Sequence, residues 1–197
     1  MINSSDSIQK LIEHFASLPS IGKKTAQRLV FHLLKKDKNY IQDFAKSLIS
    51  ISENVILCSS CNNFADTDPC PICSSHKRNS NIICVVEQPS DIIVIEKTNE
   101  FFGKYHVLHG LLNPLDGITP DVLKIKELLP RLTEVDELIL ALNPTIEGEV
   151  TIQYLSKLIK PLDIKISRIA RGVPIGSSLE FTDQATISNA FESRIYI

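Results

Sequence analysis

Four of the five cysteines in this 197-residue chain form two Cys-x-x-Cys pairs, Cys58 with Cys61 and Cys70 with Cys73, separated by eight residues. Each pair can direct two thiolates at one ion, and two pairs complete the tetrahedral shell that zinc prefers. A closed four-sulfur shell leaves no position for a reacting water, so the spacing predicts a structural zinc site. Two reversible disulfides or four free thiols are the alternatives, and His76 lies close enough to be an alternative ligand.

A run of turn residues over 18–22 separates two stretches with the apolar spacing of amphipathic helices. A glycine turn lets the backbone approach a phosphate closely, and the free N–H groups at the next helix start can bind that phosphate. Lys23, Lys24 and Arg28 follow the turn. The arrangement resembles the helix-hairpin-helix motif of DNA-repair proteins and predicts contacts with the sugar-phosphate backbone that do not read sequence. An ordinary helical hairpin with a solvated basic face is the alternative.

Acidic and amide side chains follow two later apolar runs, at 82–86 and 137–142. Ligand sites of open α/β sheets lie at the carboxyl ends of the strands, so we expect the two following loops to be neighbours. The side chains concerned are Glu87 after the first run and Asn143, Thr145, Glu147 and Glu149 after the second.

These loops resemble the Toprim domain of topoisomerases, primases and some nucleases. That family binds magnesium with a glutamate after its first strand and an Asp-x-Asp pair after a later strand. Glu87 matches the glutamate, but Asn143-Pro144-Thr145 stands where the Asp-x-Asp pair is expected. A hard cation needs that negative charge for phosphoryl chemistry, so the resemblance implies a degenerate site and no phosphodiester cleavage. Whether Glu87 with Glu147 or Glu149 still binds magnesium weakly is left open.

The elements that carry these residues follow from the apolar spacing. Three amphipathic helices are expected in the first 54 residues, followed by a loop-like cysteine segment that metal binding would order. From residue 82, short apolar runs alternate with helical stretches, which predicts an α/β unit with a mostly parallel sheet. The expected strands are 82–86, 105–109, 137–142 and 163–169, and the expected helices are 90–98, 121–129, 149–159 and 183–192.

The bulk composition excludes some classes of protein. No stretch approaches the roughly 18 consecutive apolar residues of a membrane span, and the first ten residues contain no hydrophobic run, so we expect a cytoplasmic protein. The net charge is -2, but the N-terminal part of the chain is basic, since residues 1–57 hold eight Lys and Arg against five Asp and Glu. That asymmetry favours an anionic partner at one end, with chance fluctuation as the alternative. No phosphate-binding Gly-x-x-x-x-Gly-Lys-Ser/Thr loop is present in the sequence, which argues against nucleotide hydrolysis.

Several segments, taken in order along the chain, together resemble the RecR family of recombination mediators. The resemblance runs from about residue 8 to residue 193 and combines independent motifs. They are residues 18–22, the four-cysteine finger, and residues 86–87, 109–110, 113–117, 143–151 and 171–176.

The resemblance implies a non-enzymatic mediator of recombinational DNA repair. Members of the family look like subunits of a ring-shaped tetramer that surrounds duplex DNA, and they act with RecO and RecF to load recombinase at gapped or single-stranded DNA. Lys23, Lys24 and Arg28 would face DNA, while Glu147 and Glu149 would contact RecO. The helix-hairpin-helix end and the carboxy-terminal part would supply the subunit contacts, and the protein would lie in the cytoplasm at the nucleoid.

The expected fold is therefore α/β with an α-helical N-terminal part. We expect a helix-hairpin-helix domain over residues 1–54, a four-Cys zinc finger over 55–80, a Toprim-like α/β domain from 81 to about 170, and an oligomerisation segment with a C-terminal helix over 171–197. Two other functions are possible on the sequence. One is a Toprim-type magnesium-dependent nuclease or topoisomerase-like enzyme, and the other is a zinc-ribbon protein of the transcription or translation machinery.

Overall fold

Helices make up the N-terminal part of the chain, as the apolar spacing predicts. The computed structural model describes residues 5–194, and the chain divides into two units, Met1–Val55 and Ile56–Ile197. The expected N-terminal domain thus begins with four residues outside the described part, and the expected oligomerisation segment ends with three. The division into four segments stays a prediction. Within residues 5–194, no helix is both long and apolar enough to cross a membrane.

The first unit contains a helical hairpin and a third helix. Helices α1 (Asp6–Ala16) and α2 (Lys23–Leu33) pack on each other, and α2 buries Ala26 and Val30. Helix α3 (Lys38–Asn54) begins after Asp37, whose carboxylate accepts a hydrogen bond from the Tyr40 N–H at 2.9 Å. Such a cap satisfies one of the free donors at a helix start. Because α3 has no buried residue, its apolar side chains face outward.

The second unit is built on a four-stranded, wholly parallel sheet in the order β4-β3-β5-β6, which confirms the predicted fold class. A short antiparallel pair and the four-residue helix α4 (Pro71–Ser74) precede it. The strands are β1 (Ile56–Leu57), β2 (Phe64–Ala65), β3 (Asn79–Val86), β4 (Gly103–Val107), β5 (Glu137–Ala141) and β6 (Lys165–Arg168). The remaining helices are α5 (Pro89–Glu96), α6 (Ile146–Ile159) and the C-terminal α7 (Gln184–Glu192).

The two faces of β3 pack into different clusters, because successive side chains of a strand point to opposite sides. Ile83 and Val85 join the larger cluster, which includes α6 and the segment that follows β4. Cys84 and Val86 join a smaller cluster with Ile92 of α5. Burial on both sides explains why the central strands read as continuous apolar runs rather than alternating ones.

The alignment of the strand ends positions the polar loops. Val86 pairs with Val107 of β4 on one side and with Ala141 of β5 on the other. The residues that follow these three strands therefore leave the sheet at one edge. This is the arrangement that the sequence predicts for Glu87 and Asn143.

One expected element is wrong. Residues 121–128 form hydrogen-bonded turns instead of a helix, and a 3₁₀ helix follows at Leu129–Glu134. The backbone bonds there differ from those of an α-helix: the Val122 and Leu128 N–H groups donate to carbonyls three residues earlier, and the Lys124 N–H donates to the Leu108 carbonyl. The apolar side chains still reach the core, with Leu123, Ile125 and Leu128 buried.

Candidate metal centre and nucleic-acid interface

The four predicted ligands form one cluster. Cys58, Cys61 and Cys70 are at most 1% exposed, Cys73 is half-buried, and the four sulfur atoms lie within 4.8 Å of one another. The Cys61 and Cys70 sulfurs are 3.6 Å apart, close to the roughly 3.8 Å that a tetrahedral zinc site with ~2.3 Å Zn–S bonds requires. A disulfide needs about 2.05 Å, and all the cysteines are free. The exposed His76 lies outside the cluster.

Local backbone structure directs each cysteine pair inward. Cys58 follows β1, and its N–H donates to the Asn63 carbonyl at 2.8 Å, which closes the turn that carries Cys61. Cys70 precedes α4, where Pro71 starts the helix with a preset backbone angle. The N–H of Cys70 donates to the Cys58 sulfur at 3.3 Å, and the N–H of Cys73 donates to the Cys70 sulfur at 3.4 Å. Hydrogen bonds of this kind favour the charged form of a sulfur ligand.

The pKa values of three of the four cysteines are shifted. Hydrogen bonding with Cys73, followed by burial, raises the pKa of Cys61. Hydrogen bonding with Cys61 lowers the pKa of Cys73 to about 5, and burial raises the pKa of Cys70. The pKa of Cys73 is therefore shifted in the direction opposite to those of Cys61 and Cys70. Bound zinc would supply the positive charge that stabilises thiolate ligands, and it would order a finger whose buried residues are mainly the cysteines themselves.

At the sheet edge, the structure brings Glu87 and Asn143 together. The side-chain amide of Asn143 donates to Oε2 of Glu87 at 2.7 Å. Both residues line a cleft of about 590 Å³, which His109 and Glu147 also line. Thr145 also lines the cleft, and its hydroxyl accepts a hydrogen bond from the Gly148 N–H at 3.1 Å and so caps α6.

Gly148 is required by the close packing of α6 on the loop before it. A Cβ atom at Gly148 would lie 2.0 Å from the carbonyl oxygen of Asn143. Any side chain at this position would displace the Asn143 backbone, and with it the amide that contacts Glu87. The absence of a side chain at Gly148 therefore lets Asn143 keep its position at the edge of the cleft.

Glu149 lies apart from this cleft. Its carboxylate pairs with Arg171, and its Oε2 is 3.4 Å from Nη1 of Arg168. The two glutamates that the sequence groups together thus serve different places: Glu147 lines the cleft, and Glu149 holds the segment after β6. Their roles in partner binding stay predictions.

The predicted DNA-facing cations lie at the start of α2. Lys23, Lys24 and Arg28 are exposed, and the helix begins after Gly22. Ser20, and not Gly22, adopts the left-handed backbone conformation, with φ of 63°. A Cβ at Gly22 would meet nothing within 4 Å, so this glycine leaves open space beside the first N–H groups of α2. An anion can approach those groups closely.

Three side chains make contacts between distant residues that the sequence does not predict. Lys104 donates from its ammonium group to three backbone carbonyls of the finger, and Arg131 donates to Nδ1 of the buried His106 at 3.0 Å. The one available signal is a lysine inside an otherwise buried strand, and it does not reveal what the lysine contacts. Arg131 gives no sequence signal, because its partners lie 25 and 26 positions away.

Comparison with protein families covers nearly the whole chain. Family models match it as the RecR helix-hairpin-helix over residues 8–51, the RecR four-cysteine zinc finger domain over 55–75, the Toprim domain over 81–170 and the RecR C-terminal region over 172–195. Together with the sulfur cluster, the zinc-finger match confirms the prediction of structural zinc, and Cys58, Cys61, Cys70 and Cys73 are the residues of that match that could hold it.

Individual relatives match over their full lengths as well. "Recombination protein RecR" of Clostridium perfringens is 53% identical over 191 residues, which is 96% of each chain. Proteins of the same name from Chloroherpeton thalassium and Chlorobaculum parvum are 51% and 50% identical, each over 97% of both chains.

Proposed function

Because the chain belongs to the RecR family of recombination proteins, we propose that it is a DNA-binding mediator of recombinational repair that does not itself cleave DNA. The observation that carries this proposal is the 53% identity to a recombination protein over 96% of both chains. The matches to the RecR helix-hairpin-helix, the RecR zinc finger and the Toprim domain follow one another along the chain.

Binding to DNA is assigned to the helical hairpin. The exposed cations Lys23, Lys24 and Arg28 lie beside the open space at Gly22. Free N–H groups at a helix start and nearby cations bind phosphates without reading bases. Such binding suits a mediator that must act at gaps of any sequence.

Absence of cleavage is inferred from the cleft at the sheet edge. Two carboxylates are needed near Glu87 to hold magnesium for phosphoryl transfer, and the Asn143 amide occupies the neighbouring position. Glu147 adds one carboxylate to the cleft lining, but Glu149 is paired with Arg171 and adds none. The Toprim domain then serves as a scaffold.

Assembly into a ring of four copies is supported by apolar surface at both ends of the chain. In α3, Phe44, Leu48 and Ile51 are exposed although an amphipathic helix normally buries such a stripe. Near the other end, Phe181 and Phe191 are exposed too. Apolar patches of this kind mark protein interfaces, and two interfaces per subunit are what a closed ring needs.

The partners proposed are RecO and RecF, with the acidic cleft around Glu147 as the RecO contact. Glu147 fits this role better than Glu149, because the Glu149 carboxylate is already held by two arginines. Acidic side chains at an interface steer a basic partner and fix its orientation. Action on chromosomal DNA would fit a protein that works in the cytoplasm at the nucleoid, and this location is part of the proposal.

One set of measurements tests the proposal as a whole. Solution mass should correspond to four copies, and the mass should rise on addition of gapped duplex DNA and again with RecO. Incubation with supercoiled plasmid and magnesium should leave the plasmid intact. Nicking that disappears in Glu87→Gln would assign the chain to the Toprim nucleases instead. Failure to bind gapped DNA or RecO would leave a zinc protein without clamp function.

A further inference from the structure

The zinc site poses a charge problem that its ligands cannot solve. A divalent ion with four thiolates carries a formal charge of -2, and three of the four sulfur ligands are at most 1% exposed. Buried charge is costly unless other groups balance it, and groups beyond the metal ligands commonly do so in metal sites. Cations that face the cluster therefore bear on how firmly zinc is held.

Arg131 is one such cation. Its Nη1 donates to the Tyr105 carbonyl at 2.8 Å and to Nδ1 of His106 at 3.0 Å, which fixes the guanidinium. Cys73 and Arg131 line the same cavity of about 220 Å³. Burial lowers the pKa of Arg131. Electrostatic interaction with the four cysteines, with Cys73 the largest contributor, acts in the opposite direction and raises it. Arginine nevertheless stays protonated at any pH at which proteins fold.

His106 completes the support of Arg131. Its Nε2 lies 2.6 Å from the Lys124 carbonyl, which can only accept, so the proton is on Nε2. Nδ1 is then a bare acceptor for Arg131, and the histidine is neutral. Among the described residues Arg131 forms no ion pair within 4.0 Å, although Glu134 lines the same cavity, so the guanidinium charge remains available to the sulfur cluster.

Lys104 is the second cation and acts on the finger backbone. Its Nζ donates to the carbonyls of Ile72 at 2.9 Å, Cys73 at 2.8 Å and Ser75 at 2.9 Å, which uses all three donors of the ammonium group. These carbonyls belong to the helical turn that carries Cys73 and to the residue just after it. Lys104 thus holds the second cysteine pair against β4 and lines the same cavity as Arg131.

We propose that Arg131 and Lys104 form a cationic layer that balances the zinc–thiolate charge and slows the loss of zinc from the finger. Both residues come from the sheet domain, Lys104 from β4 and Arg131 from the 3₁₀ helix before β5. The finger's hold on zinc therefore depends on its contact with the sheet. Both are positioning residues, since neither binds the metal.

Zinc release from the intact holoprotein tests this layer. The protein is mixed with excess 4-(2-pyridylazo)resorcinol, and the absorbance of the zinc–dye complex gives the release rate. Arg131→Gln keeps an N–H donor but removes the charge, and we expect release about tenfold faster or more, as for other supporting residues of metal sites. Arg131→Lys restores the charge and should release zinc at a rate close to that of the wild type.

Arg78→Gln is the matched control. Arg78 is also a partly buried arginine beside the sheet, but it pairs with Glu96. Its loss should leave zinc release unchanged. Release from Arg131→Gln at the wild-type rate, or recovery absent in Arg131→Lys, would overturn the proposal. If Arg131→Gln does not fold, Lys104→Gln decides by the same criterion, since removal of its three hydrogen bonds should also speed release.

Discussion

The amide of Asn143 donates a hydrogen bond to Oε2 of Glu87 across 2.7 Å, at the edge where β3 and β5 end. A neutral donor therefore satisfies the carboxylate that, in the Toprim pattern, would share a cation with further carboxylates. The Asn143 amide therefore stands where the Toprim pattern has a carboxylate that binds the cation. Its consequence can be tested by restoring the acid.

Asn143→Asp should create a cation-dependent cleft. Two carboxylates then face each other at hydrogen-bond distance, and because the contact is exposed we expect a loss of roughly 0.5–1 kcal/mol in unfolding free energy without metal. Manganese should restore part of that loss, whereas the wild type should not respond. Urea unfolding with and without manganese measures both effects. In Asn143→Asp combined with Glu87→Gln, one carboxylate remains and the response should vanish. An Asn143→Asp variant as stable as the wild type and indifferent to manganese would contradict this account.

The sheet, the finger and the edge loops could be predicted because their signals are local. Continuous apolar runs mark buried parallel strands, and the spacing of the cysteines alone brings four sulfurs together. The expected helix at 121–129 is wrong, because the Lys124 N–H bonds to the distant Leu108 carbonyl and its neighbours form turns, a tertiary contact that apolar spacing does not reveal. Leu123 and Leu128 of this segment are nevertheless buried without the helix.

Pairings between distant side chains could not be predicted. Asn143 and Glu87 are 56 positions apart, and Lys104 lies 31 positions from the carbonyl of Cys73. Glu147 and Glu149 are close in sequence, yet residues two apart on a helix project in different directions. One consequently lines the cleft and the other reaches Arg171. The resemblance to the RecR family is what implied that both belong to one acidic surface.

Glu149→Gln should loosen the segment that follows β6. It removes the charge that pairs with Arg171 and Arg168, and for a partly exposed pair we expect a loss of about 1 kcal/mol in unfolding free energy. Limited proteolysis with mass detection should show faster cleavage after residue 171. Glu127→Gln, which removes the exposed pair with Lys124, is the control and should change stability by less than about 0.5 kcal/mol.

The same variants separate direct from indirect effects on RecO binding. If Glu149→Gln weakens RecO binding while proteolysis is unchanged, the Glu149 carboxylate contacts the partner, and its pairing with Arg171 is secondary. If Glu147→Gln weakens binding with the C-terminal segment intact, the cleft is the contact surface. Equal RecO affinity in both variants would remove this acidic surface from the interface.

His106 should make the folded protein less stable in mild acid. Burial lowers its pKa to about 4, whereas the pKa is about 6.5 in the unfolded chain. Between these values the unfolded chain binds the extra proton and the folded one does not, so stability falls as the pH falls from about 6.5 to about 4. The full loss from this residue is about 3 kcal/mol.

His106→Gln isolates that contribution. A glutamine amide can donate to the Lys124 carbonyl and accept from Arg131, but it does not titrate. Acid also protonates the cysteine ligands of both proteins, so the informative quantity is the difference between their unfolding free energies at successive pH values. That difference should shift in favour of the variant as the pH falls. Parallel pH curves would show that His106 does not titrate differently on folding.

Lys23→Ala with Arg28→Ala should weaken DNA binding and flatten its dependence on salt. Removal of one phosphate-binding cation lowers the slope of log binding constant against log salt concentration by roughly one, because fewer counterions are released. Both side chains are exposed on α2, so circular dichroism and thermal unfolding should be unchanged. Fluorescence anisotropy on gapped duplex at several salt concentrations measures the slope. Lys10→Ala with Lys46→Ala removes equal charge from other helices of the first unit, where each lysine pairs with an aspartate. A slope that falls equally in both double variants would show that net charge alone, and not the start of α2, accounts for the affinity.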